Sequence, residues 1–354
     1  MKLGRIVILA SLGLIFLPVM NSAWAGRSVT DLVGRQIEIP DMVERIAIIP
    51  IPWATIIYAV DGRGDRITGM HPSAMAAYEN SILKTMAPEL GQANRSFVDN
   101  DFNVNYEELI GLNPDLVIIW DYQPVIMEKL KQLGIASVAI KYGTLEDVQN
   151  GIRLVGSILD KPAAAEALIE YHQSSDKYFA AKRKTLERRE KPRVLYLRDD
   201  QLTVAGGSSV NRLMIETVGG QNVTNEIGAQ WSKVTMEQIM AWDPEIIVIS
   251  NFSELLPEAI YAGGRSGQDW SGLSAVRNKR VYKAPMGIYR WDAPCVETPL
   301  MIRWLAKVIS PNVFNDYDLR KELTDFYQKY FNYGLNSEQV EQILKSGLNP
   351  DLKL

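Results

Sequence analysis

The sequence predicts an α/β fold: two Rossmann-like lobes with parallel sheets, joined by a single long α-helix, with a ligand cleft between the lobes. Three observations predict it. Short apolar strands alternate with helical stretches in both halves of the chain, the pattern of parallel βαβ units. A stretch free of glycine and proline, Ala163 to about Glu190, separates the halves. At 1.5 Å per residue it spans about 40 Å, the length of a small domain. A motif also recurs at a fixed offset of 130 residues: NYEELIGLNPDLVII from Asn105 to Ile119 and TMEQIMAWDPEIIVI from Thr235 to Ile249.

In that repeat Glu107 matches Glu237, Pro114 matches Pro244 and Asp115 matches Glu245. Each copy reads as a helix, a proline–acid turn and a buried strand. Two copies on either side of a long helix imply two lobes built alike. Ligands in such sheets bind beyond the carboxyl ends of the strands, and clefts between domains favour small molecules.

The chain opens with Lys2 and Arg5, an apolar stretch from Ile6 to Met20, and Ala23-Trp24-Ala25. A basic start, a short apolar core and a small-x-small site make a cleaved secretory signal peptide over residues 1–25. About 20 apolar residues are needed to span a bilayer, and Pro18 interrupts this stretch near its end. No cysteine stands near the cleavage site to take a lipid. A soluble, exported, periplasmic product is expected.

Residues 26–150 form the predicted N-terminal lobe. Val29 to Pro40 reads as a hairpin turning at Gly34. Arg45 to Pro50 is a buried strand, Trp53 to Val60 a helix and Arg66 to Met70 a short strand. Val104 to Leu112 is helical and stops before Pro114; Asp115 to Trp120 is a fully apolar strand. A helix at Val125 to Leu133 and a strand at Ser137 to Ile140 follow. Leu145 to Leu159 is helical; residues 151–191 are assigned to the linking helix, with Asp160-Lys161-Pro162 as a new helix start. Its end, Lys182 to Lys191, mixes both charge signs and reads as a solvated face. Residues 192–310 form the second lobe, with strands at Arg193 to Leu197, Glu245 to Ser250 and Arg280 to Lys283, and helices at Val210 to Val218, Met236 to Ala241 and Thr298 to Ile309. Residues 311–354 form a helical extension.

Composition removes several function classes. The 354 residues carry a formal net charge of −4, with 47% hydrophobic and 23% charged residues. That is an ordinary globular balance, without the basic excess of a nucleic-acid binder. Cys295 is the one cysteine, so there is no intrachain disulfide and no cysteine zinc cluster. Two histidines, His71 and His172, exclude a three-histidine metal cage. There is no G-x-S-x-G elbow and no phosphate loop ending in Lys-Ser/Thr; Ala205-Gly206-Gly207-Ser208-Ser209 lacks the lysine and reads as a loop. Neither catalytic residues nor a resident cofactor or metal are assigned.

The residues that follow strands supply the cleft candidates. In the first lobe these are Trp53, His71, Arg95 with its neighbours Asn94 and Ser96, and Trp120-Asp121-Tyr122. In the second they are Arg198, Trp231, Asn251-Phe252 and Tyr289-Arg290-Trp291-Asp292. Guanidinium groups bind anionic oxygens in a fixed fork geometry, and aromatic faces cover an organic scaffold. Arg95, Arg198 and Arg290 equally suit surface ion pairs, and Trp120 equally suits the end of its strand. His71 suits a metal chelate or an ordinary hydrogen bond; Cys295 suits an apolar filler.

Taken in order, VTDLVGRQIEIP, ERIAIIP, NYEELIGLNPDLVII, VGSILDKPAAAEALIEYH, VGGQNVTNEIGAQWSKVTMEQIMAWDPEIIVIS and WSGLSAVRNKRVY resemble the class III substrate-binding proteins of ABC importers. The resemblance covers nearly all of the chain after the leader. It implies a periplasmic monomer that captures a metal chelate, with iron–siderophore first and molybdate or tungstate, cobalamin and haem as alternatives. It makes Trp231 a ligand-wall tryptophan. It implies delivery to a permease dimer with its ATPase subunits, docked through Glu107 and Glu237. The tail after Pro311 extends past the usual end and resembles less-characterised subgroups, some of them molybdate or tungstate binders. Some metallochelatases share the two-lobed topology, so an exported chelatase-like enzyme is the rival class.

Overall fold

The computed structural model describes residues 26–264 and 267–354; the leader predicted over residues 1–25 lies outside the described residues. A hairpin opens the fold: β1 (Gly26–Thr30) pairs antiparallel with β2 (Gln36–Pro40). Its turn places Gly34 at φ 83°, the left-handed region where glycine costs least. The first lobe continues through β3 (Ile46–Ile48), α1 (Trp53–Asp61), β4 (Ile67–Met70), α2 (Pro72–Glu79), α3 (Leu83–Met86) and α4 (Tyr106–Gly111). It closes with β5 (Leu116–Trp120), α5 (Pro124–Gln132), β6 (Ser137–Ile140) and α6 (Leu145–Ile158). Its four strands lie in the order β4-β3-β5-β6, all parallel.

The linking helix α7 runs Pro162–Glu187. It begins later than the expected residue 151, because α6 ends at Ile158 and Asp160 turns left-handed at φ 54°. Residues 151–158 therefore belong to α6, a wall of the first lobe. There Gly151 lets the Trp53 ring lie flat on the helix: a Cβ would stand 1.8 Å from Trp53 Cη2.

The second lobe comprises β7 (Arg193–Leu197), β8 (Thr203–Ala205), α8 (Val210–Thr217), β9 (Gln221–Asn222), β10 (Trp231–Lys233), α9 (Met236–Trp242), β11 (Ile246–Ile249), α10 (Pro257–Tyr261), α11 (Ser274–Arg277), β12 (Val281–Lys283) and α12 (Thr298–Ile309). Its sheet is mixed. β7, β11, β12 and β9 are parallel, while β8 and β10 add an antiparallel edge. The reversal comes from the Asp199 carboxylate, which accepts from Gln201 N at 3.0 Å and Thr203 N at 3.2 Å and folds the chain back on itself.

The repeat is a repeat of hydrogen bonding. After each proline the acid accepts from the backbone at the start of the neighbouring strand: Asp115 Oδ2 from Glu44 N and Arg45 N at 2.8 and 2.9 Å, Glu245 Oε2 from Arg193 N at 2.9 Å. Arg45 and Arg193 return the favour, donating to the carbonyls that end α4 and α9. Both helices end on a left-handed residue, Asn113 at φ 45° and Asp243 at φ 40°. Each turn thus ties one helix end to two strands.

The extension is not an appendage. Helix α13 (Leu319–Phe331) packs on α12 and α14 (Ser337–Leu344) on α13, while α12 packs on α7 and α8. Phe331 reaches Tyr58 of α1, with ring centroids 6.2 Å apart, while Phe326 meets Tyr171 of α7 at 5.0 Å. The lobes are joined by the single long helix α7, and α13 lies beside it. One apolar core runs through both lobes and the extension.

Candidate functional site

Residues 281–310 are buried without a break, and the segment from Met286 to Glu297 wedges between the lobes. Met286, Tyr289, Ala293 and Cys295 pack against Ala77 of α2 and Ile51 of the first lobe. Arg290 closes the joint, with Nη1 donating to Ser73 O at 3.2 Å and Nε to Asn251 O at 3.1 Å.

In front of this wedge lies a cavity of about 150 Å³. The first lobe contributes Ile51, Pro52, Trp120, Tyr142 and Gly143. These residues follow β3, end β5 and follow β6, so the wall stands at the carboxyl edge of a parallel sheet. The second lobe contributes Arg198 after β7, Ser209 to Asn211 at the start of α8, Trp231 on β10 and Phe252 after β11. The wedge contributes Tyr289, Asp292, Ala293 and Pro294. The start of α8 is brought in by Gly206 and Gly207: Cβ atoms there would meet Ala229 O and Asn225 O at 2.2 Å, so only glycine lets the two backbones approach.

Arg198 is the cation of this cavity. Its guanidinium lies over the Trp231 ring and over the Phe252 ring, at 5.1 Å from each centroid. Two aromatic faces hold it and leave its N–H edge for an anionic oxygen. Across the floor, Asp292 Oδ2 accepts from the Ser250 hydroxyl and from Asn251 N at 3.1 Å. Lys283 lies below with its Nζ donating to the carbonyls of Ser250, Ser253 and Leu255 at 2.7–2.9 Å. Burial lowers its pKa to about 8.

The extension reaches the cavity through a chain of hydrogen bonds. Tyr327 of α13 donates to Glu297 Oε1 at 2.6 Å, and Glu297 Oε2 accepts from Tyr289 N at 3.2 Å. Asn349 exchanges two bonds of 2.9 Å with the backbone of Lys283, and Met286 N donates to Ile343 O at 2.9 Å. Glu297 is wholly buried, and desolvation lifts its carboxyl to about 7 against the lowering effect of these hydrogen bonds.

Of the residues singled out from sequence, Trp120, Arg198, Trp231, Phe252, Tyr289 and Asp292 line the cavity. Arg290 sits behind it as the bridge between lobes. The others lie elsewhere, each for a physical reason. Trp53 is fully buried against α6 because Gly151 makes room for its ring. Trp291 is fully buried in the common core. His71 caps α2, its Nδ1 accepting from Ser73 N at 3.0 Å, and its ring lies 4.6 Å from that of Phe102. Burial holds its pKa down to about 4. Arg95 is exposed and pairs with Glu79 at 3.4 Å. Tyr122 is 65% exposed and stacks on the outside of Trp120. Glu107 and Glu237 stand exposed in the first turns of α4 and α9.

Tyr142 and Asn211 were not singled out. Tyr142 follows β6 and was open to the same rule that marks loops after strands. Asn211 lies inside a helix, where sequence gives no reason to expect a cavity wall.

Two α/β lobes, each offering strand ends to a shared cleft, define a binding protein of the class III type. The chain matches the Periplasmic binding protein family over residues 71–286, and it belongs to that family, as a class III periplasmic binding protein of ABC importers. A periplasmic solute binding protein from Veillonella parvula is 54% identical, with a TM-score of 0.88 over 92% of this chain and 99% of that one. The molybdate-binding protein MolA of Haemophilus influenzae is 25% identical over 88% of this chain and 92% of its own length. A vitamin B12-binding protein of Vibrio parahaemolyticus is 30% identical over 68% of this chain and 80% of its own length. The family is one of substrate-binding proteins rather than enzymes.

Proposed function

We propose that this chain is exported to the periplasm, captures a metal chelate of the iron–siderophore type as a monomer, and hands it to an ABC importer permease through Glu107 and Glu237. One observation carries the ligand class: Arg198, half-buried over the rings of Trp231 and Phe252, is an oriented cation in an aromatic cavity. Hydroxamate, catecholate and carboxylate oxygens around a metal suit such a fork. The faces of Trp120, Tyr142 and Trp231 suit the organic part. The cavity of about 150 Å³ is smaller than the 300–1,000 Å³ of roughly drug-sized sites, so it takes one face of a chelate and leaves the rest at the cleft mouth.

The test is tryptophan-fluorescence titration of the purified chain with a ferric hydroxamate, a ferric catecholate, vitamin B12 and haem, with elemental analysis of protein taken from its own periplasm. Saturable binding of a ferric chelate, weakened at least about tenfold by Arg198→Ala, is expected. Preference for vitamin B12 or haem, or turnover of any of them, would overturn the assignment.

A further inference from the structure

Arg198 shares one of its two aromatic rings with a second cation. The Phe252 ring lies under the Arg198 guanidinium at 5.1 Å and under the Arg290 guanidinium at 4.7 Å. Trp231 continues the series beyond Arg198 at 5.1 Å, and Tyr289 beyond Arg290 at 5.7 Å. Rings and cations thus alternate from Trp231 to Tyr289, with Phe252 as the middle member. The two arginines differ in what else holds them. Arg290 is tied by hydrogen bonds to Ser73 O in the first lobe and Asn251 O in the second. Arg198 has a fixed backbone: its N–H donates to Thr203 O at 2.7 Å, and its carbonyl accepts from the Ser253 hydroxyl at 2.8 Å. Among the described residues, its guanidinium is held by the Trp231 and Phe252 rings. The loop that carries Phe252 is itself anchored. Phe252 N donates to the Ser250 hydroxyl at 3.0 Å, and Asn251 Nδ2 donates to Ala284 O and Pro285 O at 2.7 and 2.8 Å. Like charges held close together repel in a partly buried site, and the negative face of a shared ring offsets that repulsion.

We propose that Phe252 is a positioning residue, which sets the direction of the Arg198 guanidinium from the Arg290 bridge, so that the joint between the lobes orients the cation that meets the ligand. The proposal rests on the cavity being the ligand site. Arg290 lies behind the cavity, outside its lining. Its grip on Ser73 and Asn251 reaches the ligand through one ring. A guanidinium held on two rings presents its N–H edge in one direction. On Trp231 alone it has more orientations, and ordering it on capture costs part of the affinity for an anionic oxygen. Ligand affinity therefore depends on a bridge that does not touch the ligand. By linkage, an anion that fixes Arg198 also favours the contact at Ser73.

The first arm of the test needs no ligand. It is proton–nitrogen NMR of the arginine Nε–H groups in wild type, Phe252→Leu and Phe252→Tyr. The signals of Arg198 and Arg290 are identified by their loss in Arg198→Met and Arg290→Met. Ring currents shield a proton held over an aromatic face, so Phe252→Leu should move both signals downfield, and Phe252→Tyr should leave both shielded. Arg290→Met should move the Arg198 signal as well, which keeps the test open if Phe252→Leu does not fold. Movement of one signal or neither in Phe252→Leu, or an Arg198 signal indifferent to Arg290→Met, would overturn the proposal. The second arm is calorimetric titration with a ferric hydroxamate in a double-mutant cycle. Phe252→Leu should weaken binding about 5–30-fold, the span of a cation–π contact in a half-buried site, and Phe252→Tyr should recover most of that loss. In an Arg198→Ala background Phe252→Leu should cost less than about twofold. An undiminished loss there would mean that Phe252 acts on the ligand directly, and the positioning role falls. A chelate that does not bind wild type sinks the ligand assignment instead, and the NMR arm then decides the positioning role by itself.

Discussion

Glu297 couples the extension to the ligand wall, and its titration can be read directly. Desolvation raises its carboxyl from 4.5 to about 7. Between those two values the folded chain holds a proton that the unfolded chain has lost, so each rise in pH through this window favours unfolding. Below it the group costs nothing; above it the full cost remains. Converting the gap at 1.36 kcal/mol per pH unit gives a cost of about 3 kcal/mol at pH 8. Glu297→Gln has no proton to lose. It keeps an acceptor for Tyr289 N and presents its amide to the Tyr327 hydroxyl, at a fixed loss of about 1 kcal/mol for the altered hydrogen bond. The assay is urea unfolding of both proteins at pH 5 and pH 8. The stability difference should move by about 2–3 kcal/mol in favour of the variant between the two. His71 and His172, both lowered to about 4 by burial, work in the opposite sense: they lose stability as pH falls below their unfolded value. They are common to both proteins and cancel in the difference. A difference that does not change with pH would refute the assignment of Glu297 as the raised carboxyl.

Arg198→Ala should weaken ligand binding by about 1.4–3 kcal/mol with an unchanged melting temperature, whereas Arg290→Ala should lower the melting temperature because it removes the bridge between Ser73 and Asn251. Calorimetry on both variants checks this, and equal melting losses would merge the two roles. Gly151→Ala should destabilise the fold by about 2–3 kcal/mol through overpacking against Trp53; an unshifted denaturation midpoint would disprove that contact. Glu107→Arg combined with Glu237→Arg should abolish uptake in a reconstituted transporter while ligand affinity stays within about twofold. Normal transport would remove both from the docking surface.

The lobes were legible because their signals are long or repeated. The apolar runs at Leu116–Trp120 and Ile246–Ile249 and the proline–acid turns before them state a parallel strand twice over. The antiparallel edge of the second sheet was not legible: three-residue strands such as Thr203–Ala205 carry no usable period. The site was only partly legible, for a related reason. Strand ends point to loops, and so to Arg198 and Trp231, but not to which loop side chain turns inward. Trp53 and Trp291 have the same composition signal as Trp231. What separates them is a glycine on a facing helix in one case and a wholly buried segment in the other, and both are tertiary facts.

The wedge explains why the extension belongs to the binding machinery. Residues 286–297 carry Tyr289 and Asp292 to the cavity, yet their backbone is fixed largely from the far side, by Tyr327 through Glu297, by Ile343 and, through His172, by α7: His172 Nε2 donates to Val296 O at 3.1 Å. The first lobe touches the same wedge at Ala77 and Ser73. Opening the cleft therefore means sliding the first lobe over a surface that α7 and α13 together hold in place. A joint of two packed helices resists the bending that a lone helix would permit, so the available motion is a small shear at the wedge rather than a hinge. Tyr289 and Asp292 then belong to a fixed wall of the cavity rather than to one assembled on closure.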